Sequence, residues 1–574
     1  MRKPRRARLP LLAAAAAAVG LGAWALAARP LDTATGHPPP PRRVRTEVVG
    51  AVHVHTTHSD GAGSVQHVTA AARRAGLDFV VVTDHNTFGA KPAEGYAGDL
   101  LLLVGTEIST HAGHLLALGL DEPGYRFPPT AADALRDVAE LGGTAVVAHP
   151  TSPREDLRWK ARALPGGWGL EVLNGDTQWR SAPRLNLLSS LFVYPLRSER
   201  ALARLLTRPA ALALWDELLS RRHAAGIAGA DAHTRLPSYE SVFGVVRNHV
   251  LLDTPLTGDA ARDSGAIVDA LARGRLFVGI DAIAPASGFV FAAERGGRTW
   301  TMGDTVPPHP ALTLRAGGVG GARARFNLLK DGAVVAAGSG AVEAAAAGSG
   351  VYRVEVSLPG WDVPWILSNP IYVFDEAESR RRRARAALAP PPPAVAAAAY
   401  LDRFENGSIF AAASDPASSI AVSIEPRGAG ADGAAARVAY RLGARTRATP
   451  SPYVALTSLA PRDLSSYAGL ALSVRADGEY RLWVQLRDRN PRSAEGSEWW
   501  SASLKATPGW QQQTVPFRRL RSRDPATDGR LDLDEIEAVI FIVDVDSVPA
   551  GTAGTLWFDD VGLYHQPEGE EQRP

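Results

Sequence analysis

Ten of the chain's 14 histidines fall between His53 and His233, and they are grouped with one another and with carboxylates. His53-Val54-His55 lies on a predicted strand, where alternate residues face the same way, so both imidazoles can reach one ion. Asp84-His85, Glu107, His149 and Asp231-Ala232-His233 each follow an apolar run, and His114 opens one. An isolated H-x-H pair also describes histidines on a wet edge strand. A whole set of ionisable groups at one rim of a sheet does not, because desolvating them is costly unless metal ions or charged partners compensate. The chain has no cysteine, so any ion is held by His, Asp or Glu, and thiolate nucleophiles and disulfides are excluded. His58, His67, His111 and His223 fit no ligand spacing and read as surface or hydrogen-bonded core residues.

These groups meet only if the apolar runs before them are neighbouring strands. Val48–Val52, Phe79–Val82, Leu100–Val104, Ala145–Ala148 and Gly226–Gly229 read as strands buried on both faces. Ser64 can cap a helix running to Gly76, and Thr130 with Asp133 resembles a capping box for one ending at Gly142-Gly143. Strand and helix alternating over more than 200 residues predict an α/β barrel-like sheet, whose strands present their carboxyl ends at one face.

The flanks have different characters. Arg2, Lys3, Arg5, Arg6 and Arg8 precede a run from Leu9 to Ala28 that is apolar apart from Gly and Pro, and Ala25-Leu26-Ala27 gives a small-residue pattern. Residues 1–28 therefore read as an export signal or an uncleaved anchor, which places the protein in the periplasm, at the cell surface or outside. Losing them removes five positive charges and no negative one, taking the net charge from +2 to near −3, so no nucleic-acid partner is expected. Membrane contact is expected only through that segment. Residues 29–46 form a Pro/Arg-rich tether, 47–285 the barrel, 286–374 a small β-sandwich with period-two strands, 375–399 an Arg/Pro-rich linker, and 400–566 a strand-rich C-terminal domain.

The segment His53-Val54-His55-Thr56-Thr57-His58-Ser59-Asp60-Gly61, with Val82-Thr83-Asp84-His85, Gly105-Thr106-Glu107, Ala148-His149-Pro150 and Gly229-Ala230-Asp231-Ala232-His233, resembles the PHP (polymerase and histidinol phosphatase) superfamily. The resemblance covers roughly residues 48 to 285. The export signal, the β-rich tail and Ser368-Asn369-Pro370-Ile371-Tyr372-Val373 resemble a secreted branch of metallohydrolases that includes a carbamate-ester hydrolase. This implies a distorted (β/α)7 barrel holding two or three divalent ions, Zn, Mn or Fe. One ion would take His53, His55, Glu107 and Asp231. A second would take Glu107, His114 and His149, and a third Asp60, His85 and His233; some relatives have His where Asp60 stands.

With Glu107 as a bridge, two ions about 3.5–4 Å apart would lower the pKa of a shared water and generate hydroxide as the nucleophile. Glu107 and Asp231 are thus the catalytic candidates, and a phosphate ester is the expected substrate. Carboxyl or carbamate ester hydrolysis at the same site is the alternative, and a non-catalytic envelope binding protein on a degenerate barrel is another. Arg154, Lys160 and Arg180 could contact an anionic substrate. Residues 400–566 resemble the jelly-roll or galactose-binding-like sandwich of carbohydrate-binding modules, through Phe404-Glu405-Asn406-Gly407 and Trp557-Phe558-Asp559-Asp560-Val561-Gly562-Leu563. Trp483, Trp499, Trp500 and Trp510 could stack on a glycan. Glu405 and Asp559 could share a structural Ca²⁺.

Overall fold

The computed structural model describes residues 43–161, 166–233, 237–386, 395–426, 433–522 and 524–565. The expected export segment 1–28 and most of the 29–46 tether lie outside them. The chain divides into two compact units, residues 1–122 with 129–389, and residues 123–128 with 390–574.

In the first unit, eight short strands are built from the apolar runs: β1 (Thr46–Val54), β2 (Phe79–Val82), β3 (Leu100–Val104), β4 (Thr106–Thr110), β5 (Gly113–Leu118), β6 (Thr144–Val147), β7 (Gly169–Asn174) and β8 (Gly226–Ala232). β1 pairs in parallel with β2, and β2 with β3. β4 continues β3 past Gly105 and pairs antiparallel with β5, which pairs antiparallel with β6. β6, β7 and β8 are parallel, and β8 returns to β1, so the sheet closes on itself. Strand and helix do not alternate one for one. The helix Val65–Arg74 separates β1 from β2 and Ala131–Glu140 separates β5 from β6, but β4 and β5 form a tight hairpin, and four helices crowd between β7 and β8.

Two apolar clusters sandwich the strands. Val52, Val81, Leu103, Leu116, Val146 and Ile227 fill the interior, whose end is covered by Ile267 and Leu271 of the helix Ala260–Arg273. Val54, Val80, Val82 and Ala232 face outward onto Val65 and Val68 of the first helix. Val52 and Val54 therefore lie on opposite faces, although alternate residues of a regular strand share one. The cause is a bulge in β1 between them, with His53 at φ 69° as the extra residue. Val52 and His53 both turn inward, Val54 outward, and His55 inward again.

The expected boundary at residue 285 is bridged by hydrogen-bonded strands, because Leu276–Gly279 pairs with Ile366–Ser368. Asn369, in the Ser368-Asn369-Pro370 motif, donates its amide to the Gly226 carbonyl at 2.7 Å and accepts the Gly226 N–H at 2.8 Å, holding the start of β8. A separate four-stranded sheet contains Val290–Arg295 and Thr313–Gly317. Within the expected 375–399 linker, Glu376–Ala386 is helical, with Glu376 and Glu378 in its first turn and Arg383 and Arg385 in its last, as the helix dipole favours. The second unit is a sandwich of two six-stranded sheets around Phe404, Phe410, Leu470, Phe541 and Phe558.

One buried ion network ties β1 to the strand Arg247–Leu252. His249 is held between Glu47 at 2.8 Å and Asp281 at 3.2 Å and stacks on Phe277. Burial opposes its charge, but Asp281 and Glu47 outweigh this and raise its pKa, while His249 in turn lowers both carboxyls against their own burial. Replacing His249 by Ala removes the cation shared by the half-buried Glu47 and Asp281, which keep only Arg43 and Arg247 as partners, and is expected to cost about 1–3 kcal/mol in denaturant unfolding. Because the histidine's folded pKa is raised, its contribution is complete below about pH 6.5 and is lost as pH rises through the folded value. The wild type should therefore lose stability above that pH with a slope that the variant lacks.

Candidate metal centre

Apart from Asp60, which lies in the loop after β1, each predicted ligand sits where its strand reaches one rim. His53 and His55 end β1, His85 follows β2, Glu107 lies in β4 just past the barrel proper, His149 follows β6, and Asp231 and His233 end β8. β5 runs the opposite way, so the rim meets its beginning, which is why His114 opens an apolar run instead of closing one.

At the centre is the buried carboxylate of Glu107. Its Oε2 lies 2.9 Å from His53 Nε2, 3.1 Å from His55 Nε2 and 3.5 Å from His85 Nδ1; its Oε1 lies 2.7 Å from His114 Nδ1 and 2.9 Å from His149 Nε2. Asp231 Oδ1 stands 3.5 Å from His53 Nε2 and 3.4 Å from His233 Nδ1. Asp60 lies 3.3 Å from His233, 3.5 Å from His55 and 3.7 Å from His85. All nine predicted residues are thus brought together, in four overlapping groups of metal-binding size: His53, His55 and Glu107; His53, His149 and Asp231; His85, Glu107 and His114; and His55, Asp60, His85 and His233. The third expected set recurs with His55 added. The second is regrouped, with His85 in place of His149, although His149 still touches Glu107.

Hydrogen bonds select which imidazole nitrogen faces inward. His53 Nδ1 is 2.6 Å from Glu171 Oε1, His149 Nδ1 is 3.2 Å from the Leu157 carbonyl, and His233 Nδ1 is 3.1 Å from the Asp231 carbonyl. These acceptors require a proton on Nδ1, which leaves Nε2 as the ligand atom. His55 Nε2 and His85 Nδ1 are buried and have no hydrogen-bond partner among the described residues. Orphaned imidazole nitrogens around a carboxylate fit divalent cations, for which this donor set is suited.

The electrostatics agree. Burial would raise Glu107, yet His53, His114 and His149 hold it well below the usual carboxylate range. Asp231 is held at about 2 by His53 and His149 against its burial. His149 is raised to about 9, because Glu107 and Asp231 overcome burial, whereas burial takes His85 down to about 4. Both carboxylates are therefore ionised at neutral pH, and cation binding must displace protons from the raised imidazoles.

Sequence reasoning missed Glu171. Besides His53, it accepts the His149 backbone N–H at 2.7 Å and the Asn174 amide at 2.7 Å, and that amide also reaches Asp231 at 3.2 Å. A lone carboxylate in the apolar run Gly169-Leu170-Glu171-Val172-Leu173 was the available signal. A Cβ on Gly229 would stand 1.8 Å from Glu171 Oε1, so only glycine admits that carboxylate. Asp84 organises the loop after β1, accepting from the Thr56 N–H at 2.7 Å and the Ser59 hydroxyl at 2.6 Å.

His58, His67, His111 and His223 belong to none of the metal-sized groups among the described residues, and His223 stacks on Tyr372. Arg154 is paired with Asp156 and Arg180 with Asp176; Lys160 is exposed. Of the three, Arg180 also feels the field of Asp231. In the second unit, burial raises the pKa of Asp559 to about 6, with the charges of Asp560 and Glu405 adding to it, but no third side chain joins Glu405 and Asp559 in a metal-sized group among the described residues.

No family model matches the chain. An uncharacterized protein of Methanocaldococcus jannaschii is 29% identical over 119 residues, 18% of this chain and 67% of its own length. Among solved structures, a two-domain protein from Bacteroides vulgatus, described as containing a predicted PHP-like metal-dependent phosphoesterase, aligns with 60% of this chain and 99% of its own at 16% identity and a TM-score of 0.28. A family 11 carbohydrate-binding module from Clostridium thermocellum, in complex with a β-1,3-1,4-mixed-linked tetrasaccharide, aligns with 30% of this chain and 99% of its own at 20% identity and a TM-score of 0.25. Similarity at this level leaves functional assignment to the geometry of the site.

Glu171 positions His53 and the His149 backbone and belongs to none of the metal-sized groups among the described residues. Glu171→Gln is expected to weaken divalent-metal affinity about 10–100-fold with the fold retained. Metal titration alongside circular dichroism checks this, and an unchanged affinity would remove Glu171 from the centre.

Proposed function

We propose that the first unit is a metal-dependent hydrolase of phosphate esters, acting outside the cytoplasm. The observation that carries the reading is the Glu107 carboxylate, ringed by five imidazoles, two of which present buried nitrogens without a hydrogen-bond partner among the described residues. The basic start and apolar run of residues 2–28 support export. Carboxyl or carbamate esters are the alternative substrates, since the same donors serve any developing oxyanion.

His53, His55, Asp60, His85, Glu107, His114, His149, Asp231 and His233 would together hold two or three divalent ions in the overlapping groups they form. Ions held there supply Lewis acidity, lowering the pKa of water toward neutrality and neutralising charge on a phosphoryl or carboxyl oxygen. The protein's own groups do the rest. Glu107 and Asp231 stay ionised and accept no proton near neutral pH. Glu171 fixes the tautomer and orientation of His53. The site is graded in exposure: His53 and Glu107 are buried, while the Asp60 side chain is 57% exposed and those of His85 and His233 are 25% and 30% exposed. Substrate therefore approaches from the Asp60 side, and the Glu107 side excludes bulk water.

A second reading concerns the second unit. Trp483 and Trp499 line a cleft of about 450 Å³ with Gln485, Asp524, Asp544 and Asp546. Trp500, on the opposite face of the same strand as Trp499, is core, and Trp510 does not line the cleft. Trp483 is buried and donates its Nε1 to Asp544 at 3.0 Å, so the half-buried Trp499 indole beside these carboxylates is the surface that suits a sugar ring and its hydroxyls. We propose this cleft as the glycan site. Trp499→Ala is expected to weaken retention by a soluble β-glucan in affinity electrophoresis by roughly tenfold or more, and retention equal to wild type rules the cleft out.

For the hydrolase, elemental analysis of purified protein is expected to find two or three equivalents of Zn, Mn or Fe. The double substitution His53→Ala with His55→Ala should lose them, together with activity on chromogenic phosphate esters by on the order of a hundredfold or more. Full activity in the metal-depleted double variant ends the proposal. Turnover of only carboxyl or carbamate esters shifts it to the alternative substrates.

A further inference from the structure

Two acids face each other inside the second unit. The strands Tyr480–Arg489 and Ser497–Ala506 run antiparallel, and Asp488 lies directly opposite Glu498. Both continue the rows that face the core, Leu482, Val484 and Leu486 on one strand and Leu504, Ala502 and Trp500 on the other, so they point into the end of the sandwich. Asp488 is 2% exposed and Glu498 1%. Directly opposed residues stand about 4.5–5.5 Å apart at Cβ, where like charges repel. Neither acid pairs with a base among the described residues. Burial pushes Asp488 up to about 6, and the neighbouring charges that add to this, Glu498 and Asp532, are themselves acids.

Hydrogen bonds satisfy only part of the pair. Asp488 accepts from the Trp500 indole N–H at 3.1 Å and the Asp532 backbone N–H at 2.8 Å, and Glu498 Oε2 accepts from the Asn490 amide at 2.6 Å. Glu498 Oε1 is buried and has no hydrogen-bond partner among the described residues. An orphaned carboxylate oxygen beside a second buried acid calls for a cation. The same Asn490 amide reaches the Ala526 carbonyl at 3.3 Å, which brings a backbone oxygen to the pair. Segment 524–535, which carries that carbonyl, has five carboxylates and a single arginine, the exposed Arg530, bound to Asp532 at 3.1 Å.

We propose that Asp488 and Glu498, with the Ala526 carbonyl, bind a calcium ion. Hard oxygen donors without imidazole select calcium over the transition ions that suit the first unit, and carboxylate, carbonyl and water make up its usual shell. The site is separate from Glu405 and Asp559, of which Glu405 is exposed. An ion here ties the loop after Arg489 to segment 524–535, which Ser493 also joins by donating its hydroxyl to Asp524 at 2.5 Å. Ser493 and Asp524 line the Trp499 cleft, so the ion braces the cleft's rim whether or not a glycan binds there.

The test uses full-length protein, stripped with a chelator, returned to neutral buffer and followed by equilibrium dialysis against radioactive calcium and by thermal unfolding. Wild type is expected to bind about one equivalent more calcium than Glu498→Gln, and Asp488→Asn to bind at least about tenfold more weakly. Calcium to about 10 mM, above the roughly 10⁻⁴–10⁻³ M typical of extracellular modules, should raise an unfolding transition in wild type and not in Glu498→Gln. In chelator, Glu498→Gln should unfold no earlier than wild type, because it relieves the repulsion between the acids. Glu405→Gln should behave as wild type does. Four results overturn the inference. Calcium neither binds nor stabilises wild type, which leaves the two acids sharing a proton; Glu498→Gln binds and responds like wild type; Glu498→Gln unfolds earlier in chelator, which makes the charge part of the fold; or Glu405→Gln abolishes the effect, which moves the ion to the other pair.

Discussion

The first unit is arranged around one buried carboxylate. Glu107 has five imidazole nitrogens within 3.5 Å of its two oxygens, delivered from β1, β2, β5 and β6, and an ionised acid there is tolerable only because cationic or donor groups surround it. That requirement sets the backbone. His53, His149 and Asp231 all take left-handed conformations, at φ 69°, 32° and 50°, costing on the order of 1–3 kcal/mol each for residues with side chains. Rigid packing on both faces of the strands is what maintains them. The strain has a visible return at His53, where it changes which face the strand presents and turns two histidines into the same cavity.

Support extends outward in layers. Glu171 and Asn174 hold His53, His149 and Asp231 from behind, and Asp84 holds the loop that carries Asp60. Further out, Asn369 fixes the beginning of β8, the strand that ends in Asp231 and His233. The strands after residue 285 are therefore not a passive appendage. They share hydrogen bonds with the sheet and fix the position of a ligand strand from its far end. The Ser368-Asn369-Pro370 motif acquires a physical role here that a family resemblance alone did not supply.

The same unit breaks the usual partition of residues twice, in opposite directions. Its rim gathers buried ionisable groups, and its helix Arg184–Val193 places leucines in water while burying a serine. Other buried charges in the unit, such as His249 and Arg353, are paired with acids within the fold.

Much of the centre was legible in the sequence because ligand chemistry belongs to the side chain and ligand placement to the end of an apolar run; His, Asp and Glu at those ends, without cysteine, already marked an oxygen- and imidazole-lined cluster, and the family resemblance supplied the set of nine. The expected (β/α)7 alternation is not what forms, because the β4–β5 hairpin stands where a helix was expected and the chain between those two strands is too short for one. Glu171 escaped notice because its partners lie 22 and 118 residues away, and Trp499 could not be told from Trp500 because one strand position decides which indole reaches the core. The bulge at His53, the choice of imidazole on each Glu107 oxygen and the exposed leucine face were decided only in three dimensions. Each depends on which distant strand or helix lies alongside, and local periodicity carries no record of that.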